Sequence, residues 1–295
     1  MSILLITIIK KKHFIYYFFN LELYIMSSNK VLKRNTVPEI YLKKNKSKIV
    51  SLTCYTSSIA KIADKYADII LVGDSMGMVI YGQENTLSVT KQMMIEHGRA
   101  VVKNTKKALI VIDLPFGTYE SSKEKAFDTA AEIMSQTGAN AVKIEGGEEL
   151  SETISYLVDR GIPVMGHVGL MPQRINLRGI FSSQGHSSKE SKKILSDAKS
   201  ISKSGVFSIV LEAVKESLGK QITKNVLVPT IGIGAGKFCD GQILVSDDML
   251  GLFKTFTPKF VKKYANLHDD IDKAIKNYQQ EVLSEKFPSS SNTYK

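Results

Sequence analysis

The sequence predicts an α/β protein, a closed (β/α)8 barrel (TIM barrel) forming a single domain, and three observations lead to this prediction. Short apolar runs alternate with amphipathic stretches from Lys48 onward, which is typical of repeated βα units. Seven or eight such units fit into about 240 residues, which favours a closed barrel over a doubly wound sheet. Several apolar runs also end in an acidic residue, at the strand end where such barrels carry their chemistry.

The clearest strand candidate is the apolar run Ile69–Val72, which passes through Gly73 to Asp74. An apolar run of this length is typical of a strand that is buried on both faces of a parallel sheet. Its terminal carboxylate lies where the strand opens into a loop. The run therefore predicts a strand that delivers a functional aspartate.

Seven apolar runs are predicted as strands, in chain order Ile49–Tyr55, Ile69–Ser75, Ala108–Pro115, Asn140–Gly146, Val164–Leu170, Phe207–Val214 and Val228–Gly236. An eighth strand is harder to see, and we place it near Leu252–Thr255. A long polar loop, residues 171–188, follows the fifth strand.

Amphipathic stretches predict the helices that connect these strands. Thr90 is a suitable N-cap for one helix, and Gly138 is a suitable stop for the next. The predicted helices cover Ser58–Tyr66, Thr90–Lys103, Ala126–Met134, Leu150–Val158, Ile194–Ile201, Asp240–Leu250 and Asp270–Leu283.

The formal net charge of +11 is unevenly distributed, because residues 1–50 carry ten Lys or Arg and two Glu. This basicity does not by itself indicate nucleic-acid binding, and we predict neither a nucleic-acid nor a membrane partner. The two cysteines, Cys54 and Cys239, match no metal-binding or redox spacing. We therefore predict a cytoplasmic protein.

Residues 1–26 contain two short apolar runs separated by lysines, and neither run has the roughly 20 residues that span a bilayer. We interpret them as a non-native or disordered N-terminal extension, with translation starting at Met26. A targeting segment and a structured arm are the alternatives. The catalytic barrel is assigned to residues 27–287, and residues 288–295 are predicted to be a disordered tail.

Four strand candidates end in an acid: Asp74, Asp113, Glu145 and Glu212. The strand ends of a barrel converge on one mouth, and carboxylates that lie close together repel one another. Oxygen ligands favour a hard cation, so the pattern predicts a Mg²⁺ site. Lys143 lies two residues before Glu145 and faces the same side, where it can offset charge or hold an anionic substrate.

Other chemically capable residues receive simpler interpretations. His167 alone is interpreted as a hydrogen-bonded polar residue, and His97 as a structural residue within a helix. The glycines of residues 232–236 lack the spacing of a phosphate-binding fingerprint and are attributed to tight packing at the barrel rim. Neither cysteine has a paired base, so nucleophilic catalysis has no support.

Six blocks of this sequence resemble, in order and at consistent spacing, the ketopantoate (3-methyl-2-oxobutanoate) hydroxymethyltransferase family. The resemblance covers about residues 33–287. The blocks are Leu71–Met78, Asp113–Phe116, Val142–Gly147, Gly166–Leu170, Leu211–Glu212 and Gly232–Gly236. The loop after the fifth strand departs from the family, with Met171 where a threonine usually stands and with a less glycine-rich stretch at residues 177–181.

The resemblance implies transfer of a hydroxymethyl group from 5,10-methylenetetrahydrofolate to 3-methyl-2-oxobutanoate, giving 2-dehydropantoate for pantothenate and coenzyme A synthesis. It implies a homo-oligomer, often a decamer, and a Mg²⁺-stabilised enolate. In this numbering it assigns Mg²⁺ to Asp74, Asp113 and Glu145, the last directly or through water. Keto-acid binding falls to Ser75 and Lys143 together with the two aspartates, and Glu212 becomes the general base.

Two alternatives remain open at this stage. One is a Mg²⁺-dependent 2-oxo acid C–C lyase or mutase related to phosphoenolpyruvate mutase and isocitrate lyase, whose members commonly carry a catalytic loop cysteine that is not obvious here. The other is a family member that binds its ligand without catalysis, against which the presence of all four acids and Lys143 argues.

Overall fold

A computed structural model describes residues 33–179, 182–254 and 257–294. Eight parallel strands, each paired with its neighbours in chain order, close into a barrel, as predicted. The strands are β1 Ile49–Thr53, β2 Ile69–Val72, β3 Leu109–Asp113, β4 Ala141–Glu145, β5 Val164–Gly169, β6 Ser208–Glu212, β7 Thr230–Ile233 and β8 Gly241–Leu244.

Helices surround the barrel and mostly connect successive strands. Those before β6 are α1 Val37–Tyr41, α2 Ser57–Ala63, α3 Met76–Val79, α4 Lys91–Lys103, α5 Lys123–Thr137, α6 Ser151–Asp159, α7 Ile175–Arg178 and α8 Ser188–Lys203. Those after it are α9 Glu216–Asn225, α10 Ser246–Met249 and α11 Leu267–Leu283. Short 3₁₀ turns cover Glu148–Leu150, Pro172–Arg174 and Ser290–Asn292. Among the described residues, no helix is both long enough and apolar enough to cross a membrane.

Side chains that alternate along each strand divide the core into two parts. In β2, Ile69 and Leu71 belong to the cluster that fills the barrel, whereas Ile70 and Val72 pack against the surrounding helices. All four side chains are buried, as expected for a parallel strand covered on both faces. This double burial is why the apolar runs mark the strands so clearly in the sequence.

Two predicted helix boundaries are confirmed. The hydroxyl of Thr90 accepts a hydrogen bond from the backbone N–H of Met93 at 3.2 Å, which satisfies one of the free donors at the start of α4. Gly138 ends α5 in the left-handed conformation, with a φ of 76°.

The prediction of the eighth strand near Leu252–Thr255 is wrong, and so is the helix predicted over Asp240–Leu250. The strand is β8, Gly241–Leu244, and only the short helix α10 follows it. The reason is that Gln242 faces outward and is exposed, so β8 lacks the continuous apolar run of a strand covered on both faces. No helix lies in the connection of residues 234–240 between β7 and β8.

The N-terminal end of the barrel is closed by α1. Ile40 on this helix is fully buried and belongs to the cluster inside the barrel. Two ion pairs hold the segment in place, Lys43 to Asp68 at 2.6 Å and Lys44 to Asp240 at 2.8 Å. The residues predicted as an N-terminal extension, 1–26, lie outside the described part of the chain, and the disorder predicted for residues 288–295 stays a prediction.

Candidate active site

A cavity of about 670 Å³ opens at the C-terminal end of the barrel. Every residue that the sequence singled out for the site lines it: Asp74, Ser75, Asp113, Lys143, Glu145 and Glu212. Thus one end of the barrel brings together acids that lie far apart in the chain, and apolar residues of the barrel interior form part of the remaining wall.

Strand register explains how the charged groups meet. Lys143 of β4 is the register partner of Asp113 of β3, and its Nζ lies 3.0 Å from the Oδ1 of that aspartate. Two residues further along β4, Glu145 is the register partner of His167. The predicted same-side placement of Lys143 and Glu145 is confirmed, since Lys143 Nζ lies 3.8 Å from Glu145 Oε1.

Asp74 and Asp113 lie side by side at the ends of β2 and β3. The backbone N–H of Asp74 donates to Asp113 Oδ2 at 3.1 Å, so the two residues are in direct contact. Burial, together with the nearby carboxylates of Asp113 and Glu145, raises the pKa of Asp74 well above its ordinary value. Burial also raises the pKa of Asp113, although Lys143 opposes the shift. A further positive charge beside Asp74 and Asp113 would therefore stabilise the ionised form of both carboxylates.

His167 links Glu145 to Glu212. Its Nδ1 lies 3.4 Å from Glu145 Oε1, and its Nε2 lies 3.3 Å from Glu212 Oε2. Burial and Lys143 lower the pKa of His167, but the two glutamates outweigh them and raise it to about 9. From the sequence, His167 is interpreted as an ordinary polar residue. In the structure it lies at the centre of the buried charge network.

Lys143 carries the second buried positive charge. Burial opposes its protonation, but Asp113, Glu145 and Asp74 raise the pKa of Lys143 above its ordinary value. In the same network, burial raises the pKa of Glu145 but His167 and Lys143 lower it overall. The network thus buries charged groups of both signs. An anionic substrate that enters the cavity could bind the positive groups beside the carboxylates or in place of one of them.

Glu212 ends β6 and is less buried than the rest, with 18% of its side chain exposed. The next residue, Ala213, adopts a left-handed backbone with a φ of 50°, which non-glycine residues rarely adopt. Hydrogen bonds hold this turn, because the Ala213 N–H donates to Ile233 O at 2.8 Å and its carbonyl accepts from Gln184 N at 2.7 Å. The turn fixes the backbone that carries the Glu212 carboxylate.

The remaining predicted residues have structural partners. Ser75 Oγ lies 2.8 Å from the hydroxyl of the buried Tyr55. His97 lies within α4 and its Nδ1 is 2.6 Å from Tyr55 O, which agrees with a structural role. The rim packs tightly at Gly234, where a Cβ atom would lie 2.8 Å from Phe260. The glycine-rich stretch is therefore explained by packing.

Two residues of the site were missed in the sequence. Gln173 and Tyr119 are buried beside the acids, and the Tyr119 hydroxyl donates to Gln173 Oε1 at 2.6 Å. Both lie in connections between elements rather than at the end of an apolar run, so no periodic signal marks them.

The donor set was tested for its fit to a divalent cation. In the described part of the chain, no three His, Cys, Asp or Glu side chains form a ready-made metal cage. Mg²⁺, however, is usually held by one or two carboxylates together with water and substrate oxygens. The crowded pair of Asp74 and Asp113 fits such a site, and Glu145, already engaged by His167, fits an indirect contribution through water.

A family model and two related enzymes are similar to this chain over most of its length. Residues 34–290 match the family model of ketopantoate hydroxymethyltransferase. The chain is 49% identical over 269 residues to the 3-methyl-2-oxobutanoate hydroxymethyltransferase of Rhizobium rhizogenes, covering 91% of this chain and 98% of that protein. It is 51% identical over 263 residues to the enzyme of the same name from Rhizobium etli, covering 89% of this chain and 96% of that protein.

Solved structures share the fold at low sequence identity. Phosphonopyruvate hydrolase superimposes with a TM-score of 0.57 at 11% identity, covering 88% of this chain and 92% of that one. A 2,3-dimethylmalate lyase of the phosphoenolpyruvate mutase/isocitrate lyase superfamily gives a TM-score of 0.56 at 14% identity, covering 84% and 87%. At these identities the likeness shows a common barrel and nothing about the reaction.

Proposed function

The chain belongs to the ketopantoate hydroxymethyltransferase family, and from this premise we propose that it transfers a hydroxymethyl group to 3-methyl-2-oxobutanoate, giving 2-dehydropantoate. The observation that carries the proposal is the convergence of Asp74, Asp113, Lys143, Glu145 and Glu212 on one cavity. The lyase or mutase alternative rests on likeness of fold alone, so the hydroxymethyltransferase is preferred.

The keto acid has a carboxylate and a keto oxygen, and the inner part of the cavity suits both. We assign a divalent cation, Mg²⁺, to Asp74 and Asp113, with Glu145 contributing directly or through water. A phosphonopyruvate hydrolase of the same fold has been solved with oxalate and Mg²⁺, which agrees with this choice. Such a cation, when bound, polarises the keto and carboxylate oxygens of the substrate.

Lys143 and Ser75 provide the remaining contacts to the keto acid in this proposal. The ammonium of Lys143 is almost fully buried and attracts an anion strongly in such surroundings. Ser75 lines the cavity with its hydroxyl held by Tyr55, so it can offer a hydrogen bond without reorganisation.

Glu212 is the proposed general base. In the reaction the C3–H bond of the keto acid breaks, the proton passes to the Glu212 carboxylate, and the electron pair moves into the keto group. Water takes the methylene carbon from the donor as its C–N bonds break, leaving tetrahydrofolate and the one-carbon unit at the oxidation level of formaldehyde. C3 then bonds to that carbon, and the oxygen that came from water takes up the proton from Glu212 and becomes the hydroxyl of 2-dehydropantoate. Glu212 lies at the more open side of the network, where 18% of its side chain is exposed, and His167 holds its Oε2. The base is therefore separated from the pair assigned to the cation.

The proposed one-carbon donor is 5,10-methylenetetrahydrofolate. A cavity of about 670 Å³ is larger than a small keto acid needs, and it is in the range that accommodates larger ligands. Its outer wall includes Pro258, Lys259 and Phe260, which offer apolar surface and a cation to a large anionic cosubstrate.

An assay of the purified full chain tests the proposal. We expect 2-dehydropantoate to form when 3-methyl-2-oxobutanoate, 5,10-methylenetetrahydrofolate and Mg²⁺ are all present, and formation to stop when the metal is chelated. The proposal fails if both cosubstrates give no turnover while cleavage of another 2-oxo acid is observed.

We further propose that the chain forms a homo-oligomer through α11. None of the residues of this helix is buried, yet it exposes an apolar stripe of Ile271, Ile275, Tyr278 and Val282. An exposed stripe of this kind indicates a protein contact. We expect Ile275→Glu to lower the mass measured by light scattering, whereas Lys273→Glu on the opposite face should not.

The proposed location is the cytoplasm, with small molecules rather than nucleic acid or membrane as partners. Cys54 and Cys239 are both free and buried, which suits a reducing compartment. Most of the excess positive charge lies in residues 1–50.

A further inference from the structure

Gln173 occupies a position in the site that neither the sequence pattern nor the reaction assigns. It lies in the 3₁₀ turn Pro172–Arg174, just after β5, and is 3% exposed. Its backbone N–H donates to Glu145 Oε2 at 3.1 Å. Its side-chain Nε2 donates to Asp74 Oδ2 at 2.7 Å. One residue therefore binds two of the three carboxylates assigned to the cation.

The side-chain amide of Gln173 has only one favourable orientation. Its Nε2 contacts two acceptors, the carboxylate of Asp74 and the carbonyl of Leu114, the second at 2.9 Å. Its Oε1 accepts the hydrogen bond from the Tyr119 hydroxyl at 2.6 Å. Turning the amide over would place its oxygen against the carbonyl oxygen of Leu114, which cannot donate, and unsatisfied buried polar groups are costly.

Tyr119 is itself fixed in place. Its hydroxyl accepts a hydrogen bond from the backbone N–H of Glu145 at 3.2 Å, and its own proton points to Gln173 Oε1 at 2.6 Å, which is closer than the second acceptor, Glu145 O, at 3.2 Å. The ring is almost fully buried, so the hydroxyl has little freedom to find other partners. A continuous path of hydrogen bonds thus runs from the end of β4 through Tyr119 and Gln173 to Asp74.

We propose that Gln173 is a positioning residue that orients Asp74 and Glu145 for the divalent cation. Its side-chain amide donates a hydrogen bond to one carboxylate oxygen of Asp74 and leaves the other oxygen for the cation. Its backbone N–H donates to one carboxylate oxygen of Glu145 and holds it in place. Groups that hold metal ligands in this way commonly set the metal affinity. The inference rests on the proposed function, because it assumes that these carboxylates bind the cation.

The position of Gln173 gives this role a second consequence. The 3₁₀ turn that carries Gln173 is the first part of the loop of residues 171–188. The neighbouring Arg174 forms an ion pair with Glu149 at 2.6 Å. Displacement of this turn would move the partners of Asp74 and Glu145 together. Cation affinity and the conformation at the start of the loop are therefore coupled.

The test compares Gln173→Met with wild type by titrating Mg²⁺ into the full chain calorimetrically, in the presence of 3-methyl-2-oxobutanoate. Methionine has a similar length but no donor for Asp74. We expect the Mg²⁺ dissociation constant to rise about 10-fold, within the range found when such supporting partners are removed. We also expect kcat to recover at high Mg²⁺ concentration, because the reacting groups are unchanged.

Two further variants keep the test decisive. Thr137→Val removes a buried hydrogen bond to Ile133 O at the end of α5, and it should lower Tm without changing Mg²⁺ affinity. Tyr119→Phe removes the partner of Gln173 Oε1 together with the hydroxyl contacts to the Glu145 backbone, and it should weaken Mg²⁺ binding about threefold even if Gln173→Met does not fold.

Each outcome has a clear meaning. Mg²⁺ affinity within about twofold of wild type in both Gln173→Met and Tyr119→Phe would overturn the positioning role while leaving the proposed function intact. Wild-type protein that binds neither Mg²⁺ nor 3-methyl-2-oxobutanoate would overturn the proposed function itself, and this inference with it.

Discussion

The Nε2 atom of His167 lies 3.3 Å from the Oε2 atom of Glu212, on neighbouring strands of the barrel. The two neighbouring glutamates raise the pKa of His167 to about 9, which favours the imidazolium form beside the Glu212 carboxylate at neutral pH. The other side of the same ring contacts Glu145. One imidazolium therefore connects the proposed base to the group of acids assigned to the cation.

Replacing the proposed base gives the first prediction. Glu212→Gln keeps the shape of the side chain but cannot take a proton, so exchange of the C3 hydrogen of 3-methyl-2-oxobutanoate with deuterium should fall by about 10²- to 10⁴-fold. Mg²⁺-dependent binding of the keto acid should persist. Exchange is measured by NMR in D₂O, and an unchanged rate would assign the base elsewhere.

The charge of His167 gives a pH-dependent prediction for the metal-free protein. The folded-state pKa lies above the unfolded value of about 6.5, so the stabilisation is complete below about pH 6.5 and is lost as the pH rises through about 9. The difference in free energy of unfolding between wild type and His167→Asn should therefore shrink over this window, by an amount on the order of 3 kcal/mol. Urea titrations at several pH values measure it, and a difference that grows with pH would contradict the ion pairs.

Loss of a carboxylate that we assign to the cation should affect metal and substrate binding together. We expect Asp74→Ala to weaken Mg²⁺ binding and keto-acid binding in parallel, by about 10-fold or more, as measured by calorimetry. Asp247→Asn is the control, because Asp247 is a buried acid near the end of β8 that hydrogen-bonds to Ser246. Normal Mg²⁺ affinity in Asp74→Ala would remove this residue from the metal site.

Gly169 provides a prediction about the backbone beneath Glu212. Gly169 has a φ of 103°, and a Cβ atom there would lie 2.4 Å from the carbonyl oxygen of Glu212. Gly169→Ala should therefore displace the base, lowering kcat by about 10-fold or more and stability by about 1–3 kcal/mol. Gly161→Ala is the matched control, since Gly161 has a φ of 87° with open space around it. Equal activity losses in both variants would show that displacement of Glu212 is not the cause.

A strand of this fold can be predicted from sequence when both of its faces are buried. Strands such as β2 and β3 are buried on both faces, so their apolar runs identify them. β8 begins with a glycine and has an exposed Gln242, so it lacks the continuous apolar run that marks β2 and β3. Its existence follows from closure of the barrel, a relation between distant parts of the chain.

The residues of the site, like the strands, can be predicted from sequence only where a local pattern marks them. Asp74, Asp113, Glu145 and Glu212 were predictable because each one ends an apolar run. The contact of Gln173 with Asp74 joins residues 99 positions apart, and no local pattern encodes it. His167 illustrates an intermediate case, since its strand was recognised but its importance comes from partners on the two neighbouring strands.

The closed N-terminal end of the barrel has a kinetic consequence. Because Ile40 fills that end of the described barrel, both proposed cosubstrates would enter at the opposite, C-terminal end, and the keto acid would have to reach the buried Lys143 beneath the larger donor. The keto acid should then bind first, and the spent donor should leave before 2-dehydropantoate. Product inhibition would follow this sequence: 2-dehydropantoate should be competitive with the keto acid, and a donor present in excess should trap the keto acid in the complex.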